Sequence, residues 1–311
     1  MTPDRQTLPD VFIIGAPKAG TTSLADWLSQ HPDVYFSVPK EPFYWAADYP
    51  AMRARYGFDS RSAYERLYTS AEARAAQHRA DGSTTYLYSQ TAVPDILAEV
   101  AEPKFIVALR KPVDLLVSYH RTQLVALNED ETDFPTAWRR SVDGRGPGTE
   151  PLDPKLVDYP MVGRLGAAVE RLLDLLPRDS VHFVLFDDLA ADPGRTWVGL
   201  TGFLGLSALP HPSFDVRNAS TKTFRSARLR RLTHRPPSAL AGPMRRIRHW
   251  SRTTSNPIAA KVESLMWREQ SKPDVDVAAR AEIADYLAAD TRKLGELIGC
   301  DLSHWVSVPS R

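Results

Sequence analysis

Residues Val11 to Trp45 limit what this chain can fold into more than any other stretch. They open with Val11-Phe12-Ile13-Ile14, an apolar run of the kind that forms a strand buried on both faces. A loop follows, Gly15-Ala16-Pro17-Lys18-Ala19-Gly20, and then Thr21-Thr22-Ser23. Leu24, Trp27 and Leu28 then recur at helical spacing, and His31-Pro32 ends the helix. A strand feeding a glycine-containing loop and a helix start is an anion-binding device, because free backbone N–H groups converge there and the helix dipole adds about half a positive charge. Lys18 adds a full charge and Thr21 and Thr22 add hydroxyls, so the segment predicts a site for a phosphate-like group. Gly15 and Gly20 have the spacing of a Walker A loop, but Thr21 stands where that loop needs lysine, and the lysine is three residues earlier, at Lys18.

The remaining strands and helices follow from periodicity. Val34-Tyr35-Phe36 predicts a short strand, followed by Pro39-Lys40-Glu41-Pro42-Phe43-Tyr44-Trp45. Residues 46–80 read as a polar, helical insertion with aromatic spots, which either packs on the core or walls a pocket. Asp81 to Tyr88 reads as a turn and short strand. Lys104 to Leu109 is a second buried strand, ending in Arg110-Lys111-Pro112 and a helix through Leu115, Leu116, Ser118, Tyr119 and Leu124. An arginine at the C-terminal end of a parallel strand points into the ligand crevice. Residues 128–159, rich in Gly, Pro and Asp, predict a mobile loop, either a lid or a plain surface excursion. A helix over 161–176 and a strand over 181–186 come next. Asp187 and Asp188 are compatible with a magnesium site or with capping the helix that Asp192-Pro193 announces. A long helix closes the chain, with Trp305 anchoring the tail.

Composition narrows the class. The chain has 311 residues, 43% of them hydrophobic, enough for a large core, and its net charge of +1 does not by itself imply a global polyanion partner. The single cysteine, Cys300, excludes an internal disulfide framework and a cysteine metal cluster. No run of 18 or more apolar residues exists, so no membrane span is expected. The first ten residues form a polar arm without the pattern of a secretory signal. A cytoplasmic enzyme is the expectation, and the Ala-, Arg- and Pro-rich composition is associated with bacteria. From Arg217 to Arg252 there is no acid among many arginines. That run is read as a solvated face, as an attractor for an anionic or lipid-linked acceptor, or, with no reading motif present, least readily as a nucleic-acid surface.

Pro17-Lys18-x-Gly20-Thr21-Thr22 resembles the 5′-phosphosulfate loop of sulfotransferases that use 3′-phosphoadenosine 5′-phosphosulfate (PAPS). Lys40-Glu41-Pro42 resembles the segment carrying the catalytic glutamate in heparan sulfate-type and related bacterial sulfotransferases. The Arg110-to-Ser118 spacing resembles the family's 3′-phosphate site. Asn218 to Phe224 resembles its late loop over the 3′-phosphate, often N-x-x-x-K-G-F, with Lys222 in register and Thr223 in place of the glycine. The stretch from Asp81 departs from the family's E-K-[ST]-P-x-Y, Gly82 and Ser83 standing where the acid and the lysine would be.

The resemblance implies an α/β fold, with a single domain over residues 11–311 whose central parallel sheet is flanked by helices as in nucleotide kinases. It implies sulfuryl transfer from PAPS to a hydroxyl of a carbohydrate, lipid or natural-product acceptor, leaving adenosine 3′,5′-bisphosphate. Glu41 would be the general base and Lys18 would meet the charge on the departing oxygen. Ala19, Gly20, Thr21, Thr22 and Ser23 would hold the 5′-phosphate, and Arg110, Ser118, Lys222 and Thr223 the 3′-phosphate. No metal is expected, because a sulfuryl group carries less charge than a phosphoryl group. His31, His78 and His120 are spare base candidates, and an ion pair with Lys40 is the plainer role for Glu41. A P-loop kinase using ATP, or a non-catalytic bisphosphate-binding protein, are the alternatives.

Overall fold

The computed structural model describes residues 8–214, 222–224, 267–269 and 275–306, with backbone only at 222–224 and 267–269. These residues group into two compact units, one built from the chain up to Arg110 and from Ala167 to Arg217, the other from Lys111 to Gly166 and from Asn218 onward.

The first unit holds a five-stranded sheet, all of whose pairings are parallel. Its strands are β1 (Val11–Gly15), β2 (Val34–Phe36), β3 (His78–Asp81), β4 (Lys104–Leu109) and β5 (Val181–Leu185), in the order β2-β3-β1-β4-β5. Every residue of β1 is buried, and β4 is buried from Phe105 onward. This is why both read as continuous apolar runs: helices cover both faces of a parallel sheet. From β1 the chain skips to β2 at the sheet edge, returns to β3 beside β1, then crosses to β4 on the other side of β1. That reversal of winding places a crevice outside the carboxyl ends of the central strands.

Helix α1 (Thr21–Ser29) follows β1, burying Leu24, Trp27 and Leu28 as their spacing predicts. The short helices α2 (Pro50–Tyr56), α3 (Arg61–Glu65) and α4 (Ala71–Ala75) carry the aromatic insertion. The insertion ends at residue 77, because His78–Asp81 is not helical but a sheet strand. The turn after it forms one 3₁₀ turn, Thr84–Leu87, in place of the expected short strand. Helix α5 (Ala92–Glu99) then leads to β4.

In the second unit, α6 (Pro112–Ala126) opens with proline, and α7 (Phe134–Val142) lies inside the stretch expected to be a loop. Asp133 caps α7 by accepting from the Thr136 N–H, and Phe134, Ala137 and Trp138 are buried, so a helix with its own core replaces the mobile loop over these residues. Helix α8 (Tyr159–Gly163) precedes α9 (Leu165–Leu175), which continues the chain toward β5. After β5 come α10 (Phe186–Ala191) and α11 (Pro193–Leu204) in the first unit. Asp192, not Asp187 or Asp188, caps α11, by accepting from the Arg195 N–H at 2.9 Å.

Back in the second unit, Lys222–Phe224 pairs antiparallel with Trp267–Glu269. The unit closes with α12 (Val277–Ile298) and α13 (Ser303–Val306), with Trp305 buried. A β-carbon on Gly163 would meet Leu116 at 2.9 Å and Leu287 at 3.0 Å, so α6, α8 and α12 meet there. Cys300 is exposed. No helix among the described residues is long and apolar enough to cross a membrane.

Candidate active site

The loop after β1 is tied to β4 before any ligand is considered. The Ala16 N–H donates to the Ala108 carbonyl at 2.6 Å, and the Ala19 N–H turns back to the Ala16 carbonyl at 3.3 Å. Gly20, the residue before α1, has φ 90°, a left-handed conformation open to glycine, and a β-carbon there would approach Phe186 and Leu189 at 3.3 Å. Helix α1 therefore begins without a side-chain cap and with no acid in its first turn. Its first N–H groups have no partner within the helix and carry the positive end of the dipole. Ala19, Thr21 and Ser23 are buried, while Lys18, Gly20 and Thr22 are half-buried.

Arg110 and Lys18 meet. One guanidinium N–H of Arg110 donates to the Lys18 carbonyl at 3.0 Å, and the guanidinium lies over the Phe186 ring at 4.4 Å. The arginine at the end of β4 and the lysine of the β1 loop therefore stand at one place in the first unit. Ser118 is buried on α6 of the second unit. Lys222 and Thr223 lie in the short strand pair, and their side chains are outside the described residues, as is most of the basic run 217–252.

Glu41 is also brought to this loop. The Lys40 ammonium donates to the Thr21 hydroxyl at 3.1 Å and to Glu41 Oε1 at 2.9 Å, and the Thr84 hydroxyl reaches Glu41 Oε2 at 3.4 Å. The ion pair foreseen as the plainer role of Glu41 is thus present, and it ties the carboxylate to the start of α1.

The segment carrying Glu41 is pinned by a group that sequence reasoning passed over. Asp81, fully buried at the end of β3, accepts from the Ser83 N–H (2.9 Å) and hydroxyl (2.7 Å) and from the hydroxyls of Tyr64 (2.8 Å) and Tyr86 (2.9 Å). Each of these hydroxyls in turn accepts from the Glu41 segment. Ser83 takes the Phe43 N–H, Tyr86 the Trp45 N–H, and Tyr64 the Trp45 indole N–H, all at 3.0–3.2 Å. Phe43 has φ 60°, a left-handed conformation costing on the order of 1 kcal/mol, and the Ser83 bond holds it. Burial pushes the Asp81 carboxyl up to about 6, against the pull of its Ser83, Tyr64 and Tyr86 donors.

Asp81-Gly82-Ser83-x-x-Tyr86 also corrects the register expected here. The acid of the pattern is present as Asp81, so Gly82, not Ser83, takes the position after it. The signal was in the sequence, since Tyr86 falls on the pattern's tyrosine only in this register.

The three spare histidines have other work. His31 bonds the Ser207 carbonyl and accepts from the Asp33 N–H, His78 bonds Asp10 and the Leu204 carbonyl, and His120 bonds the Glu131 carbonyl. All three are buried. Among the described residues no His, Cys, Asp and Glu side chains converge in threes as a metal site.

Residues 9–95, which include the β1 loop, Glu41 and Asp81, match the sulfotransferase family model. Over these residues the chain is similar to the sulfotransferase family. It is 27% identical over 202 residues to heparan sulfate glucosamine 3-O-sulfotransferase 3B1 of Mus musculus, covering 65% of this chain and 47% of that protein. A 50-residue stretch is 50% identical to human carbohydrate sulfotransferase 15, covering 16% of this chain and 8% of that protein. The chain thus spans half or less of the length of the curated relatives it matches. The crystal structure of a sulfotransferase from Alicyclobacillus acidocaldarius superposes with a TM-score of 0.66 at 22% identity, over 96% of this chain and 99% of that one. The shared architecture is the P-loop-like sulfotransferase fold, a parallel sheet flanked by helices.

Proposed function

We propose that this protein transfers a sulfuryl group from PAPS to a hydroxyl of a carbohydrate or other small acceptor, with residues 11–311 acting as one sulfotransferase domain. The observation that carries this reading is the chain of contacts from Glu41 through Lys40 to Thr21, which sets a carboxylate beside an uncapped helix start. A base and an anion cradle held together are what an in-line displacement at a sulfuryl group requires. The glycan-directed relatives favour a carbohydrate among the possible acceptors.

In the reaction the acceptor oxygen attacks sulfur and its proton passes to Glu41. The bond between sulfur and the oxygen bridging to the 5′-phosphate breaks, and adenosine 3′,5′-bisphosphate leaves. Lys18 meets the charge developing on that oxygen, and losing one such preorganised contact typically costs about 2.7–4 kcal/mol. The backbone from Ala19 to Ser23 and the Thr21 and Thr22 hydroxyls hold the 5′-phosphate. Arg110, with Ser118, Lys222 and Thr223, recognises the 3′-phosphate. The Lys40 ammonium, bonded to Glu41 Oε1 at 2.9 Å, orients that carboxylate beside Thr21.

A positioned base contributes roughly 10²- to 10⁴-fold, so Glu41→Gln is expected to lower turnover by that factor while leaving affinity for adenosine 3′,5′-bisphosphate within a few-fold. The check is an acceptor screen with labelled PAPS on the parent chain, then turnover of the variant on whichever acceptor reacts. Near-normal turnover by Glu41→Gln removes Glu41 from the role.

A further inference from the structure

Lys40 occupies ground that a side chain at position 82 would otherwise take. A β-carbon on Gly82 would lie 3.0 Å from both Cγ and Cε of Lys40 and 3.0 Å from the Phe36 ring. The Gly82 N–H also donates to the Lys40 carbonyl at 2.9 Å, which holds the two backbones side by side. The absent side chain at 82 thus forms the seat over which the Lys40 stem runs, with the ammonium delivered between Thr21 and Glu41. An ammonium has three donors. Two are used, one by the first residue of α1 and one by the proposed base. Its side chain is 21% exposed, so the charge is partly withdrawn from water, where its interactions are stronger than at an open surface.

We propose that Lys40, seated over Gly82, is a second cation of the transfer step, which gives its third N–H to an oxygen of the sulfuryl group while it orients Glu41. This rests on the PAPS reading above. It adds that this chain supplies a second cation from the residue before the proposed base, over the seat that Gly82 leaves open. Lys18 then serves the bridging oxygen, and Lys40 the group being passed on. No bond forms to Lys40 and its proton count is unchanged across the step.

The sulfuryl group is the difference between PAPS and adenosine 3′,5′-bisphosphate, so the test needs no acceptor. Affinities for both ligands are measured by calorimetry on the full chain, for the parent, Lys40→Met, Lys40→Arg and Gly82→Ala, with thermal unfolding alongside. A hydrogen bond from a charged group is worth about tenfold or more in affinity. Lys40→Met is therefore expected to weaken PAPS by about tenfold or more and the bisphosphate by less than about threefold. Lys40→Arg is expected to restore part of the preference. Gly82→Ala, which displaces the stem without removing the charge, is expected to lower the preference in the same direction by less. Equal weakening of both ligands, or an unchanged preference in Lys40→Met at unchanged unfolding temperature, overturns the role of Lys40 and leaves the PAPS reading standing. A parent chain that binds neither ligand overturns both.

Discussion

Asp81 in the first unit and Glu129 in the second are both buried carboxylates with four donors each, yet they titrate in opposite directions. Asp81 accepts from one backbone N–H and three neutral hydroxyls. Burial wins there, and the carboxyl is pushed up to about 6. Glu129, 1% exposed at its side chain, accepts from the N–H groups of Asp130 and Glu131, the Tyr159 hydroxyl and the Arg140 guanidinium. Burial pushes Glu129 up as well, but the Glu131 N–H, Arg140, the Asp130 N–H and Tyr159 together bring it below its ordinary value. The number of donors is the same. What differs is that one donor of Glu129 is a cation and two are backbone dipoles, whereas three donors of Asp81 are hydroxyls. Neutral hydroxyls satisfy a buried carboxylate's geometry without offsetting its loss of water.

The sharpest way to break the contrast is Arg140→Met, which turns Glu129 into a buried acid with neutral donors only. Removing one partner of a buried pair costs about 3–5 kcal/mol. The loss is expected to be full near pH 7.5 and smaller below pH 4, where Glu129 in the variant gains a proton, and urea unfolding at the two pH values measures it. Next comes Asp81→Asn. The folded chain holds the Asp81 proton more tightly than the unfolded chain does, so Asp81 costs stability as pH rises through the interval from about 4 to 6. Measured against Asp81→Asn, the parent is expected to lose up to about 3 kcal/mol between pH 4 and pH 8. A flat difference would show that Asp81 titrates normally. The smallest expected effect is Tyr86→Phe, about 1–3 kcal/mol, because the Trp45 N–H loses its acceptor and Asp81 loses one donor. Its stability curve should also change so that the Asp81 cost, which still begins near pH 4, extends to higher pH.

The two clusters also show what the sequence makes visible. The β1 loop and helix, β4, β5, the Asp192 cap and the closing helix were legible because each is a run of one periodicity bounded by its own stop signal. Strand β3 was not: His78-Arg79-Ala80-Asp81 has one apolar residue in four, and its polar ends are satisfied by distant groups, His78 by Asp10 and Asp81 by Tyr64 and Tyr86. Helix α7 was hidden by the glycines and prolines around it, although Asp133, Pro135 and the spacing of Phe134, Ala137 and Trp138 announce it. In the candidate site, Lys18, Glu41 and Arg110 belong to local motifs and could be named. Lys40 could be seen only as an ion-pair partner, because its seat depends on a glycine 42 positions later and on a strand order no local pattern encodes.

The account stands most directly on the donor, and calorimetry with adenosine 3′,5′-bisphosphate in the presence of a metal chelator tests it. The prediction is binding without added magnesium, at least about tenfold weaker binding of adenosine 5′-phosphate, which lacks the group assigned to Arg110, and weaker binding in Lys18→Met. Tighter binding of ATP with magnesium than of the bisphosphate, or no binding of the bisphosphate at all, would contradict it.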